Sequence, residues 1–305
     1  MTVLAIVGPT ASGKSALAVH VAERIGGEIV GTDSMQAYVG MDIGTATPSV
    51  AERRGIRHHM LNEWDITQAV SVVEFRERAR SSIEDILQRG SIPIVVGGSG
   101  LYVRAVLEEM DFPGTDPSVR ATWERQLEDL GAPALHEVLR QRDPRAAADI
   151  EPNNGRRIVR ALEVIELTGG PFIARLPTPV DRYPTVRVGL RIDRSTLDDR
   201  ITLRVDAMWA AGFVEEVRAL VLNGLRDAPT ASAALGYGPV SDFLEGRIDE
   251  ETARELTIQD TRKFARRQQR WFAKDKRIEW FDFDAPGLVD SVVELAMAES
   301  PSVSH

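Results

Sequence analysis

Residues Gly8-Pro9-Thr10-Ala11-Ser12-Gly13-Lys14-Ser15 match the phosphate-loop pattern G-x-x-x-x-G-K-[ST] at every fixed position. The pattern constrains the fold as well as the ligand, because it operates only as the link between a strand and a helix. The flanks agree. Val3–Val7 is a short apolar run that predicts a strand, and 14–25 carries apolar residues at helical spacing before a stop at Gly26-Gly27. The glycines free successive backbone N–H groups to curl around phosphate oxygens at the positive end of that helix. Lys14 adds a positive charge on the terminal phosphate, and the Ser15 hydroxyl is a candidate Mg²⁺ ligand.

The alternation of strand and helix continues. Residues 28–32 predict a second strand ending at Asp33-Ser34, and Ser71 with Glu74 has capping-box spacing ahead of a helix that stops at Gly90. Residues 92–96 predict a third strand, closed by Gly97-Gly98-Ser99-Gly100, with a helix from Leu101. From about Met110 to Thr185 no strand is expected, and residues 116–179 predict a helical insertion. Residues 185–192 alternate as a strand. Ser195 and Asp198 predict a helix start, 214–222 a helix closed by Gly224, and 249–276 a long final helix. The expected fold is therefore α/β: a P-loop-type, mostly parallel sheet flanked by helices, formed by 1–115 and 180–298, with an all-helical subdomain at 116–179 and a tail at 299–305.

Composition removes several classes of function. The 305 residues include no cysteine, which excludes disulfides, thiolate metal sites and a cysteine nucleophile. No apolar run reaches the roughly 18–20 residues that cross a bilayer, and the N-terminus lacks a basic leader, so a cytoplasmic protein with no membrane partner is expected. Nothing resembles an oligomerisation helix, and a monomer is expected.

Which phosphate chemistry the loop serves turns on a missing residue. NTPases of this loop class hold Mg²⁺ with an acid at the end of a neighbouring apolar strand, where this chain has Gly97-Gly98. The nearest expected carboxylate is Asp33, a candidate general base for a nucleophile attacking beyond the phosphate; an Asp-Ser pair after a strand also serves as a simple turn. The net charge of −9 hides a reversal: Arg262, Lys263, Arg266, Arg267 and Arg270, followed by Lys274, Lys276 and Arg277, crowd the final helix with Phe264, Trp271 and Phe272. Such a stripe suits an RNA backbone with aromatic or guanidinium planes for unpaired bases, or a solvated face paired with acids elsewhere. Arg156, Arg157 and Arg160 form a second basic cluster. His58-His59 predicts structural hydrogen bonding.

Taken in order, several segments resemble the tRNA dimethylallyltransferase family over nearly the whole chain. They are Gly8–Ser15, Gly31-Thr32-Asp33-Ser34-Met35-Gln36, Met41-Asp42-Ile43-Gly44-Thr45-Ala46, Val96-Gly97-Gly98-Ser99-Gly100-Leu101-Tyr102, Arg156-Arg157-Ile158-Val159-Arg160-Ala161, and Thr261-Arg262-Lys263-Phe264-Ala265-Arg266-Arg267-Gln268. The resemblance implies transfer of a dimethylallyl group from its diphosphate to N6 of the adenosine 3′-adjacent to the anticodon, with Mg²⁺ and release of diphosphate. It implies that Asp33, Lys14, Ser15 and Arg200 act in catalysis, and that Gly8, Pro9, Thr10, Ala11, Ser12, Gly13, Lys14, Ser15 and Arg204 hold the diphosphate. By the same likeness the tRNA anticodon stem-loop meets Asp33, Ser34, Met35, Gln36, Ser99, Arg156, Arg157, Arg160, Tyr237, Arg262, Lys263, Arg266, Arg267 and Gln268. The chain departs from the family at Ser99, where Thr is usual, and at Gly238-Pro239, where polar or charged residues are usual. A P-loop kinase of a nucleoside or small metabolite, and an RNA-binding protein switched by a nucleotide, are the competing expectations.

Overall fold

The computed structural model describes residues 2–173 and 178–298; the expected tail lies outside them. Two compact units share the chain. One is built from residues up to Glu108 and from Asp181 onward, the other from Glu109–Val180.

The first unit is a six-stranded, wholly parallel sheet in the order β3-β2-β4-β1-β5-β6. It opens with β1 (Val3–Val7), α1 (Lys14–Ile25) and β2 (Gly27–Gly31), followed by β3 (His58–His59), α2 (Val72–Gln88), β4 (Ile92–Gly97) and α3 (Gly100–Leu107). Strand β1 is buried along its length, as expected of a central parallel strand with helices on both faces. Its residues divide by the period of two. Val3, Ala5 and Val7 join Phe75, Ile83 and Ile86 of α2 and Val103 and Val106 of α3, whereas Leu4 and Ile6 join Leu17 and Val21 of α1. Helix α2 begins with the expected capping box, Ser71 accepting from the Glu74 N–H and Glu74 from the Ser71 N–H.

The second unit is helical: α4 (Pro117–Leu130), α5 (Ala132–Arg142), α6 (Pro144–Asp149) and α7 (Gly155–Thr168) enclose Trp123, Leu135, Leu139, Ile158 and Leu162. Inside it, burial works to raise the Glu163 carboxyl, but hydrogen bonds from Arg120, Thr115 and Arg160 hold it at about 2.

The first unit resumes with β5 (Thr185–Arg191), α8 (Arg194–Ala210), α9 (Phe213–Leu222), α10 (Tyr237–Leu244), α11 (Glu250–Phe272), β6 (Ile278–Asp282) and α12 (Leu288–Ala298). Three details differ from expectation. The start of α8 lies two residues earlier than its capping-box spacing indicates, because Asp193 rather than Ser195 is the cap and accepts from the Thr196 N–H. Strand β3 has only two residues, too few to show a period of two. Strand β6 and helix α12 follow the basic helix unheralded; β6 pairs with β5, and α12 adds Val292 and Ala296 to the core under α1.

Candidate functional site

The carboxyl ends of β1, β2 and β4 converge on a cavity of about 510 Å³, the place where an open parallel sheet binds ligands. The phosphate loop forms one wall. Gly13 has φ 97° as the N-cap of α1, and Ala11 holds φ 61°, a conformation that costs a residue with a Cβ and persists only where the surroundings impose it. Gly8 is needed for close approach, since a Cβ there would come within 3.3 Å of the Leu190 carbonyl oxygen. Ser12 Oγ donates to the Pro9 carbonyl at 2.9 Å, and Lys14 Nζ donates to the same oxygen.

Helix α8 supplies the opposing wall. Arg200 Nε donates to the Ala11 carbonyl at 2.7 Å while its guanidinium lies 5.2 Å from the Phe283 ring centre. One turn later, Arg204 donates to Thr10 Oγ1 at 3.2 Å and to the Thr45 carbonyl at 3.4 Å. The i, i+4 spacing puts both arginines on one face of α8, directed at the loop. The candidate diphosphate residues are thus assembled on one cavity: Thr10, Ala11, Gly13, Lys14, Ser15, Arg200 and Arg204 line it, and Asp33 shares it.

The electrostatics follow from this crowding. Burial, and then the neighbouring Arg204 charge, lower Lys14 to about 7, with Asp33 opposing. Burial raises the Asp33 carboxyl above the usual carboxylate range, against the pull of the Met35 N–H, Arg204 and Lys14. Burial likewise lowers Arg204, which Asp33 supports. Desolvated cations beside one carboxyl are poised to take up an anion.

A strand-end acid is sterically excluded from β4. A Cβ on Gly97 would stand 1.9 Å from Thr32 Oγ1, and one on Gly98 2.2 Å from Gln268 Nε2. Among the described residues there is no cluster of three His, Asp or Glu side chains able to hold a metal ion. Ser15, exposed in the first turn of α1, offers one hard oxygen beside the phosphate cradle. That fits Mg²⁺, which takes most of its ligands from phosphate and water.

A second cavity of about 270 Å³ shares Thr10, Asp33, Thr45, Arg204 and Phe264 with the first. Ser34, Met35, Ser99, Val205, Met208, Ala234, Leu235, Tyr237 and Arg267 also line it. Asp33 and Phe264 therefore stand where a charged chamber meets a more apolar one.

The residues expected to meet RNA divide in the structure. Lys263, Arg267 and Arg270 are exposed on α11. Arg262 instead packs on α8, donating to Thr202 Oγ1 at 2.9 Å and to the Asp198 carbonyl at 3.3 Å, and Arg266 lies 3.9 Å from the Asp198 carboxylate. Gln268 is buried, and its Oε1 accepts from the Thr10 N–H at 2.8 Å. Gln36 binds the Thr45 and Ala46 carbonyls at 3.1 and 3.2 Å. Tyr237 is 1% exposed, with its hydroxyl on Glu216. In the helical unit Arg156 and Arg157 are exposed, whereas Arg160 donates to the Pro113 and Gly114 carbonyls and to Glu163. His59 binds Glu28 at 2.8 Å and His58 the Ile56 carbonyl at 2.9 Å, the structural bonding expected of the pair. Glu216, which accepts from the backbone N–H groups of Asp42, Ile43 and Gly44, was marked by no motif.

The chain is similar to several known proteins. A family model described as IPP transferase matches residues 36–275, a span that begins after the phosphate loop. The tRNA dimethylallyltransferase of Thermobifida fusca is 55% identical over 304 residues, covering 98% of this chain and 95% of that protein. The same-named protein of Streptomyces coelicolor is 52% identical over 298 residues, covering 96% of each. The crystal structure of the tRNA isopentenylpyrophosphate transferase from Bacillus halodurans superposes with a TM-score of 0.73 at 37% identity, covering 98% and 96% of the two chains. A eukaryotic dimethylallyltransferase solved acting on tRNA gives a TM-score of 0.77 at 27% identity, covering 92% of this chain and 74% of that one. With the family model spanning most of its length and relatives more than half identical over nearly all of it, this chain belongs to the IPP transferase family.

Proposed function

We propose that this protein transfers a dimethylallyl group from dimethylallyl diphosphate to N6 of the adenosine 3′-adjacent to the anticodon in tRNA. The observation that carries the reading is the pairing of a phosphate cradle with Asp33 in one cavity whose neighbouring strand end has no room for an acid. A phosphoryl transferase of this loop class uses that acid. An alkyl transferase needs instead a held leaving group and an acceptor for one proton.

The chain's own residues meet both needs. The N6 lone pair forms a bond to the allylic carbon, the carbon–oxygen bond to diphosphate breaks, and the electron pair departs with the diphosphate. Loop amides, Lys14, Arg204 and Arg200 surround the position where that negative charge grows. Mg²⁺ at Ser15 would add charge neutralisation on the same oxygens. The N6 proton passes to Asp33. Because an aromatic exocyclic amine is barely basic, this proton leaves late, and Asp33 orients the amine before accepting from it.

To reach N6 the enzyme must take the adenosine out of the anticodon stack. The second cavity, entered beside the exposed Arg267 and meeting the first at Asp33, supports that route. Among the described residues no helix is long and apolar enough to cross a membrane, and a tRNA substrate supports a cytoplasmic place.

The test is direct. Protein incubated with Mg²⁺, dimethylallyl diphosphate and unmodified tRNA is expected to add the mass of one prenyl unit to an adenosine. ATP-dependent gain of phosphate by an acceptor, with no prenyl gain, would overturn the reading.

A further inference from the structure

We propose that Glu216 is a positioning residue for the reaction: it fixes the loop formed by residues 41–46, and through that loop the diphosphate-binding arginine Arg204. The inference rests on the function proposed above and assigns a task to residues that the phosphate-binding reading leaves unused.

Glu216 lies in the first turn of α9 and accepts from three consecutive backbone N–H groups. Its Oε2 takes those of Asp42 and Ile43 at 3.0 and 2.6 Å, and its Oε1 takes that of Gly44 at 3.1 Å. The Tyr237 hydroxyl donates a fourth bond to Oε1, at 2.7 Å. Successive N–H groups aimed at one anion form a concave nest, the same device the phosphate loop uses, here filled by the protein's own carboxylate. Gly44 makes the approach possible: a Cβ there would stand 2.2 Å from the Phe213 ring and 2.6 Å from Tyr237.

The far side of the loop faces the site. The Thr45 carbonyl accepts from Arg204 at 3.4 Å and from Gln36 at 3.1 Å, and Thr45 and Ala46 line the diphosphate cavity. Arg204 touches substrate in the proposed reaction, and Glu216 acts through the loop that orients it. The buried Tyr237 hydroxyl belongs to this device, while its ring also borders the second cavity.

Glu216→Gln keeps the side-chain shape but replaces one accepting oxygen with a donor, leaving the Gly44 N–H without a partner even if Tyr237 turns its hydroxyl round. The full chain is titrated with inorganic pyrophosphate in the presence of Mg²⁺, and KM and kcat are measured for dimethylallyl diphosphate and for tRNA. The expected result is a pyrophosphate affinity weakened about tenfold, a matching rise in donor KM, and tRNA KM and affinity unchanged within about twofold. Tyr237→Phe, which keeps the ring packing, is expected to show the same split at about threefold. A folded Glu216→Gln protein with wild-type pyrophosphate affinity, or one losing donor and tRNA affinity equally, overturns the proposal. Should that variant fail to fold, unchanged pyrophosphate affinity in Tyr237→Phe overturns it. Wild-type protein that binds pyrophosphate but transfers no prenyl group refutes the proposed reaction, while the pyrophosphate titrations still decide the role of Glu216.

Discussion

Gln268 and Thr10 stand 258 positions apart in the chain, yet the Gln268 side-chain carbonyl accepts the Thr10 backbone N–H at 2.8 Å. The bond ties the basic helix α11 to the mouth of the phosphate loop, and Gly98 leaves the space in which Gln268 lies.

Removing that acceptor exposes a donor inside the protein. Gln268→Ala should cost about 1–3 kcal/mol of stability and raise the KM for dimethylallyl diphosphate more than that for tRNA. Gly98→Ala, which pushes on the Gln268 amide nitrogen, should give the same pattern. Thermal melts and donor titrations check both; a variant impaired only toward tRNA would return Gln268 to the RNA surface.

Asp33 is the group expected to take the N6 proton. Asp33→Asn retains shape and polarity but cannot accept it, so kcat should fall roughly 10²- to 10⁴-fold with tRNA affinity retained. Full turnover in this variant would remove Asp33 from the mechanism.

Lys14 carries a pH signature. Its folded pKa is lowered to about 7 from an ordinary lysine value, so in the ligand-free protein it loses its charge as pH rises through 7. A bound diphosphate favours the charged amine and raises that pKa, so diphosphate affinity should decline as pH climbs from 7 to 9. Titration of inorganic pyrophosphate across pH 6 to 9 reads this dependence, and an affinity that stays flat between pH 7 and 9 would contradict the lowered pKa.

The basic helix should divide by exposure. Arg267 is exposed, 5.6 Å from the Phe264 ring, and borders the second cavity. Arg267→Ala should reduce the slope of log affinity for tRNA against log salt by about one. Arg262 spends its guanidinium on Thr202 and Asp198, so Arg262→Ala should leave that slope unchanged and cost about 1 kcal/mol of folding stability. Salt titrations of tRNA binding distinguish the two; equal slopes would show that exposure does not select the RNA contacts.

What the sequence by itself determined was local or contiguous. The phosphate loop, the strand before it and the helix after it are legible because eight adjacent residues specify one backbone path. The capping box at Ser71 and the strandless run after Met110 were readable for the same reason, each resting on short-range spacing. Strand β3 was not, because two residues carry no period and become a strand only through the ladder that β2 provides. Arg200 and Arg204 were pointed to by the family resemblance and not by any spacing, and they meet the loop because α8 returns across it; the tertiary structure alone brought Glu216 to Gly44 and Tyr237 to Glu216, where α9 and α10 pack together. A carboxylate that fills a nest of amides looks in sequence like any surface glutamate. Its partners are backbone groups, which every residue possesses and no motif can mark.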